Sequence, residues 1–190
     1  MERDDLEFNG GLGGRFIRPS ESLETVSIGE RGNGSVGSMI KAKPTVLAIS
    51  SGGGHWVQLL RLRPAFEDCR VVFATVRQGY RDDVGDAEFC VIPDANRWSK
   101  LNLMRATVSI FALLLRLKPD VVISTGAAPG YLAIRLGRLL RARAIWVDSV
   151  ANAEEMSLSG KKIGRFADLW LTQWPHLARK NGPHFRGSVL

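Results

Sequence analysis

A run of three glycines followed by a histidine is the feature of this chain best suited to phosphate chemistry. The run follows an apolar segment, Thr45–Ile49, and precedes an amphipathic helical pattern. Glycine lets the backbone approach a ligand closely, and a helix N-terminus directs N–H groups and a partial positive charge at anions. We therefore predict that Ser51, Gly52, Gly53 and Gly54 contact a phosphate or diphosphate, with His55 as a titratable group beside it.

The glycine run matches neither of the common nucleotide-binding patterns. No glycine follows at G-x-G-x-x-G spacing, and no Gly-Lys-Ser/Thr closes the loop. A tight strand-to-helix turn without a ligand remains the alternative interpretation.

A second loop of small residues follows the apolar segment Val121–Ile123 and leads into another helical pattern. If both segments are parallel strands, this loop lies at the same sheet edge as the glycine run. We predict diphosphate contacts from Thr125, Gly126 and Gly130, with packing of the loop against a neighbour as the alternative.

Carboxylates follow a third apolar segment that ends near Val147. Asp148, Glu154 and Glu155 lie at or beyond that end, and a carboxylate can act as a general base toward a sugar hydroxyl. We name Glu154 and Glu155 as candidate catalytic residues. A helix N-cap is an equally good interpretation of Asp148, and solvent exposure is the alternative for the two glutamates.

Alternating strand and helix patterns from residue 44 onward indicate the scaffold for these residues. Several strands are continuous apolar runs, as in a parallel sheet covered on both faces. The predicted strands are 45–50, 71–76, 88–92, 120–124, 144–148 and 169–173, and the predicted helices are 55–66, 99–117, 130–141 and 161–167. We predict an α/β, Rossmann-like parallel sheet over residues 44–190.

Residues 1–43 have the composition of a flexible leader. They hold eight of the twenty glycines and few large apolar residues. Met39 stands just before the first predicted strand, so we predict that the leader is a tail or that translation starts at Met39.

Charge and cysteine content narrow the function classes. Residues 44–190 carry twenty basic and twelve acidic side chains, which suits an anionic substrate, a membrane surface or nucleic acid. Stacking aromatics do not accompany the arginines near 135–143, so we predict no nucleic-acid partner. Two cysteines give neither a disulfide framework nor metal-ligand spacing, and we predict no metal site.

The pattern at 99–117 is apolar around most of its circumference, which exceeds what covering a sheet requires. Its longest run without a charged residue is too short to span a bilayer. Its apolar face nevertheless suits the membrane interface. We predict membrane association through Leu103, Ile110, Phe111 and Leu114, with burial against further protein as the alternative.

Several separated motifs, in order, resemble a known family over residues 44–190. They are the loop ending in His55, the segment 119–126, the segment 158–161, and the segments 166–169 and 173–175. Together they resemble the membrane-recruiting subunit of the eukaryotic dolichol-linked UDP-GlcNAc transferase. They are more similar still to bacterial relatives in exopolysaccharide synthesis, including glucuronosyltransferase subunits.

The resemblance implies the N-terminal half of a GT-B glycosyltransferase. This half would bind a polyprenyl-diphosphate-linked acceptor at the cytoplasmic face of the membrane as a peripheral protein. A partner chain would bind the UDP-sugar, so no cofactor is expected here, and the sugar would be transferred with inversion. The related peptidoglycan GlcNAc transferase has a similar loop on its acceptor side. The resemblance therefore implies that Gly52, Gly53, Gly54 and His55 would contact the acceptor diphosphate, with His55 as a candidate catalytic base.

The resemblance does not decide which sugar is transferred, nor whether this chain supplies catalytic residues. Glucuronic acid in exopolysaccharide synthesis is favoured, with a UDP-GlcNAc transferase subunit or a non-catalytic scaffold as alternatives. The eukaryotic subunit has an N-terminal transmembrane anchor, and we expect none here; we also expect the chain to stop about where a fused enzyme would enter its donor half. We therefore expect the helix at 99–117 and the partner chain to provide membrane association.

Overall fold

Seven parallel strands form one sheet in the computed structural model, which describes residues 42–95 and 99–189. The spatial order is β3-β2-β1-β4-β5-β6-β7, so the direction of winding reverses between β1 and β4. The strands are β1 (Thr45–Ile49), β2 (Arg70–Thr75), β3 (Glu88–Val91), β4 (Val121–Ser124), β5 (Arg143–Val147), β6 (Leu169–Thr172) and β7 (His184–Phe185). This topology confirms the predicted fold class.

Four α-helices connect the strands: α1 (Gly54–Arg61), α2 (Lys100–Leu117), α3 (Ala127–Leu139) and α4 (Leu158–Ile163). Helix α1 is shorter than predicted because Pro64 begins a separate 3₁₀ helix, Arg63–Phe66. Helix α3 begins earlier than predicted and contains Pro129 in its first turn, where a missing N–H is tolerated.

The short elements were not predicted. A 3₁₀ helix at Gln78–Val84 and the two-residue strand β7 lie where the sequence has no sustained periodicity. Most of the predicted leader, residues 1–41, lies outside the described residues.

The sheet has a hydrophobic core on each face, since alternate strand residues point to opposite sides. Leu47 and Ile49 pack with α2, α3 and α4 on one face. Val46 and Ala48 pack on the other face with α1 and the two 3₁₀ helices, where Trp56 makes an edge-on contact with Phe73.

Helix α2 has an inner and an outer face, and two of its four predicted membrane residues lie on the wrong one. Ile110 and Leu114 are fully buried in the core against the sheet, so the prediction is wrong for them. Leu103 is half-buried and Phe111 is exposed. Among the described residues, no helix is both long and apolar enough to cross a membrane.

Candidate functional site

The loops that follow β1 and β4 lie side by side at the carboxyl edge of the sheet. Ile49 and Ser124, the last residues of these neighbouring strands, are partners in the parallel register. The winding of the sheet reverses between these two strands, and open α/β sheets bind ligands in the crevice at such a point. The predicted glycine run and second loop therefore share one site.

Two reciprocal hydrogen bonds join the loops. His55 Nδ1 lies 2.9 Å from the Thr125 carbonyl oxygen, and Thr125 Oγ1 donates to the His55 carbonyl oxygen at 2.7 Å. A carbonyl can only accept, so Nδ1 must carry a hydrogen. In the neutral ring Nε2 is then the unprotonated nitrogen and can accept a proton.

The backbone at both helix starts requires glycine. Gly53 precedes α1 with φ +66°, a conformation that other residues rarely adopt, and its N–H donates to the Tyr80 hydroxyl at 3.1 Å. Gly126 precedes α3 with φ +140°, and a Cβ atom there would lie 2.4 Å from His55 Cε1. Gly126 therefore makes room for the imidazole. Gly54 is exposed, with open space where its side chain would be.

Gly130 is not available to a ligand, contrary to the prediction. It is buried in the first turn of α3, where a Cβ atom would overlap the Ser124 hydroxyl. Close packing of α3 on β4 is what this glycine permits. Thr125 is also fully buried, and its hydrogen bonds to His55 make it a support for the imidazole.

A groove of about 680 Å³ opens beside His55 at this edge. Its walls come from the start of α3, the loop after β3 and the segment between β5 and α4. They include Ala127, Asp94, Ser149, Asn152, Glu155 and Ser157. The groove thus combines a helix N-terminus with hydroxyl, amide and carboxylate groups, which suits an anionic group joined to a sugar.

The predicted carboxylates have different surroundings. Glu155 lines the groove, and Lys161 lowers its pKa, first through a hydrogen bond and then through its charge. A carboxylate held in its ionised form in this way is a weak base. Glu154 is exposed and does not line the groove.

Asp148 has a structural role, because its carboxylate holds the segment between β5 and α4 through hydrogen bonds. Its buried carboxylate accepts hydrogen bonds from Trp146 Nε1 at 3.0 Å and from the Ser157 hydroxyl at 2.6 Å. It also accepts from the Ser157 backbone N–H and the Asn152 amide. These bonds fold the segment between β5 and α4 into the wall of the groove. The N-cap of α4 is Ser157, so Asp148 is not a helix cap as the alternative had it, but holds the capping residue in place.

Sequence analysis gave no role to Asp94 or to a pair of buried glutamines, although Gln173 belongs to the segment 173–175 that carries the family resemblance. Asp94 lines the groove after β3, and the rule that ligands lie beyond strand carboxyl ends applies to it as well. Gln173 donates to Gln58 at 3.0 Å, and Gln58 donates to the Ser149 hydroxyl at 3.2 Å. These amides position the groove wall from beneath, and no short motif announces such long-range contacts.

Comparison with known proteins identifies a family. A family model described as oligosaccharide biosynthesis protein Alg14 like matches residues 91–189. The human UDP-N-acetylglucosamine transferase subunit ALG14 is 35% identical over 170 residues, covering 72% of this chain and 78% of that protein. The subunit from Eremothecium gossypii is 27% identical over 167 residues, covering 71% of this chain and 75% of that protein.

Solved structures share the fold at low sequence identity. MurG from Acinetobacter baumannii matches with a TM-score of 0.61 and 15% identity, over 76% of this chain and 45% of that one. A UDP-N-acetylglucosamine 2-epimerase from Rickettsia bellii gives 0.59 and 14%, over 77% and 45%. The chain therefore spans less than half the length of these structures, and the likeness establishes the Rossmann-like fold alone.

Proposed function

The chain belongs to the Alg14-like family of oligosaccharide biosynthesis proteins, and from that premise we propose that it is the acceptor-binding half of a two-chain UDP-sugar transferase. The relatives are named as UDP-N-acetylglucosamine transferase subunits, which favours N-acetylglucosamine as the donor sugar over glucuronic acid. Nothing in these matches supports the exopolysaccharide interpretation. A partner chain would bind the UDP-sugar opposite the groove.

The observation that carries this proposal is the geometry of His55 in the groove. The acceptor diphosphate lies at the N-termini of α1 and α3, where N–H groups and helix dipoles favour anions. The acceptor sugar extends toward Asn152 and Ser157. His55 Nε2 then accepts the proton of the attacking hydroxyl, whose oxygen bonds to the anomeric carbon as UDP leaves.

Membrane association comes from the outer surface of α2, α3 and α4. These helices, all in the described part of the chain, carry seven Lys or Arg residues and no Asp or Glu. The exposed apolar side chains of α2 lie on one stripe: Leu101, Met104, Val108, Phe111 and Leu115. This combination suits a peripheral protein on an anionic cytoplasmic membrane face.

Substitution of His55 in the reconstituted two-chain enzyme tests its role as the base. We expect His55→Gln to lower kcat by about 10²- to 10⁴-fold, since that is what a general base contributes. The matched control is Glu154→Gln, an exposed carboxylate outside the groove, which we expect to retain activity. Full activity of His55→Gln and of a Glu155→Gln variant would leave only a scaffold role for these two groups.

The donor is tested in the same enzyme by supplying UDP-N-acetylglucosamine or UDP-glucuronic acid with one lipid-linked acceptor. We expect transfer from UDP-N-acetylglucosamine. Preferential transfer of glucuronic acid would contradict this and identify UDP-glucuronic acid as the donor.

A further inference from the structure

A second cavity lies next to the groove, at the start of α2. Its volume is about 710 Å³, and its walls include Pro93, Asp94, Met104, Arg105 and Val108. Asp94 lines both cavities, so they are neighbours on either side of this residue in the loop after β3. A ligand that crosses Asp94 from the groove would enter the second cavity.

The two hollows differ in chemical character. The groove presents His55, Ser149, Asn152 and Ser157, which are polar. The second cavity has the polar residues Asn102 and Ser109 and the charged residues Asp94 and Arg105 in its walls, but it also presents Met104 and Val108, which are 59% and 63% exposed. Covering exposed apolar side chains with a hydrocarbon group is favourable, because it removes apolar surface from water.

A continuous ligand of this shape would be an amphiphile with a charged head and a hydrocarbon chain. We propose that the second cavity holds the part of the acceptor's lipid chain nearest the diphosphate, so that the acceptor leaves the groove past Asp94 and along α2. This inference rests on the proposed function. The occupant of the second cavity is the hydrocarbon chain of a prenyl diphosphate.

The position of the cavity on the outer side of α2 supports this path. Met104 and Val108 belong to the apolar stripe on that helix, so a chain that passes over them continues directly to the proposed membrane surface. Arg105 also lines the cavity and would provide a cation for the anionic head of such a ligand. The ligand would therefore reach the polar groove without drawing its whole chain out of lipid.

Binding of farnesyl diphosphate and of inorganic diphosphate to the full chain tests the path. We expect farnesyl diphosphate to bind at least about tenfold more tightly, because the chain covers apolar surface. The double variant Met104→Ser/Val108→Ser should lose this difference and retain its affinity for inorganic diphosphate. Leu139→Ser is the matched control, because Leu139 is 73% exposed on α3 and lies away from the cavity.

The other outcomes separate this inference from the proposed function. Equal binding of the two ligands by the unaltered chain would overturn the path while leaving a diphosphate site in place. Retention of the tenfold difference in the double variant would place the hydrocarbon elsewhere and also overturn it. Failure of both ligands to bind would remove the acceptor site itself and the path with it.

A photoreactive prenyl diphosphate locates the chain directly. A benzophenone at the far end of a short prenyl chain should label residues between 101 and 109, identified by mass spectrometry of the digested protein. Labelling confined to the opposite face of the sheet would contradict the inference. The variants replace exposed side chains, and their Tm values show whether the fold is intact.

Discussion

The two helical layers on either side of the sheet bury similar apolar faces but differ in their outer surfaces. Helices α2, α3 and α4, the basic layer, have seven basic and no acidic side chains among the described residues. Helix α1 and the 3₁₀ helices Arg63–Phe66 and Gln78–Val84, the mixed layer, have three basic and two acidic side chains.

This difference separates what the fold requires from what the surroundings require. Each layer needs one apolar stripe to cover the sheet, and each has it. The additional apolar stripe on α2 and the one-sided charge contribute nothing to that packing. The proposed membrane association explains both features, because the membrane surface would meet the basic layer and not the mixed layer.

The largest expected effect distinguishes the inner and outer faces of α2. Ile110→Ala should lower the free energy of unfolding by about 2–5 kcal/mol, because Ile110 is fully buried and leaves a cavity. Met104→Ala, on the outer face, should change it by about 0.5 kcal/mol or less. Urea denaturation measures both. Equal losses would mean that the outer face is also packed.

The second prediction concerns the contact between the layers, where α3 meets His55 of α1. Gly126→Ala should lower kcat/KM of the two-chain enzyme by about 100-fold, since its Cβ would displace the imidazole and misplace Nε2. Gly79→Ala is the control, because Gly79 has open space where a Cβ would lie. Normal activity of Gly126→Ala with an unchanged Tm would disprove this positioning role.

The third prediction tests the charge difference between the layers. Lys100→Gln/Lys162→Gln in the basic layer should weaken binding to phosphatidylglycerol vesicles by about tenfold or more, since each surface cation contributes about 1 kcal/mol. Arg61→Gln/Arg77→Gln, which removes equal charge elsewhere, should have little effect. Vesicle co-sedimentation measures both, and equal losses would show that only net charge matters.

The smallest effect is expected from an exposed ion pair between the neighbouring strands β2 and β3. Arg70 Nε lies 2.7 Å from Glu88 Oε1, and both side chains are about half exposed. Arg70 lowers the pKa of Glu88, first by its hydrogen bond and then by its charge. The stabilisation is present above the usual carboxyl pKa and is lost as pH falls through the lowered value.

Glu88→Gln should therefore lower Tm by no more than about 2 °C at neutral pH, because exposed ion pairs contribute little. The difference from the unaltered chain should disappear at acid pH. A deficit that persists in acid would point to a packing role for Glu88.

Continuous apolar runs made the strands and their parallel arrangement predictable. Thr45–Ile49 and Val121–Ser124 are apolar enough to indicate strands buried on both faces, and the loops after them followed from that arrangement. The position of His55 directly after the glycine run indicated that it lies at this edge. Its locked ring depends on a carbonyl seventy residues away, which no local pattern reveals.

The errors came from surfaces that periodicity leaves ambiguous. Helix α2 is apolar on both sides, so the sequence could not distinguish Ile110, which faces the sheet, from Met104, which faces outward. Gly130 belongs to a stretch of small residues that is typical of a ligand-binding loop. It packs against Ser124 instead, because α3 begins three residues earlier than its sequence pattern suggests. Asp94 was overlooked because it lies alone after a short edge strand.

The paired bonds between His55 and Thr125 have a consequence for assembly. Both bonds lie within this chain, so the orientation of the imidazole is set before any second protein arrives. Docking would then cost no conformational entropy for ordering this ring, and a partner would have only to bring its own half of the cleft within reach. For the proposed two-chain enzyme, this means that the His55 side of the site is ordered within this chain before the two chains assemble.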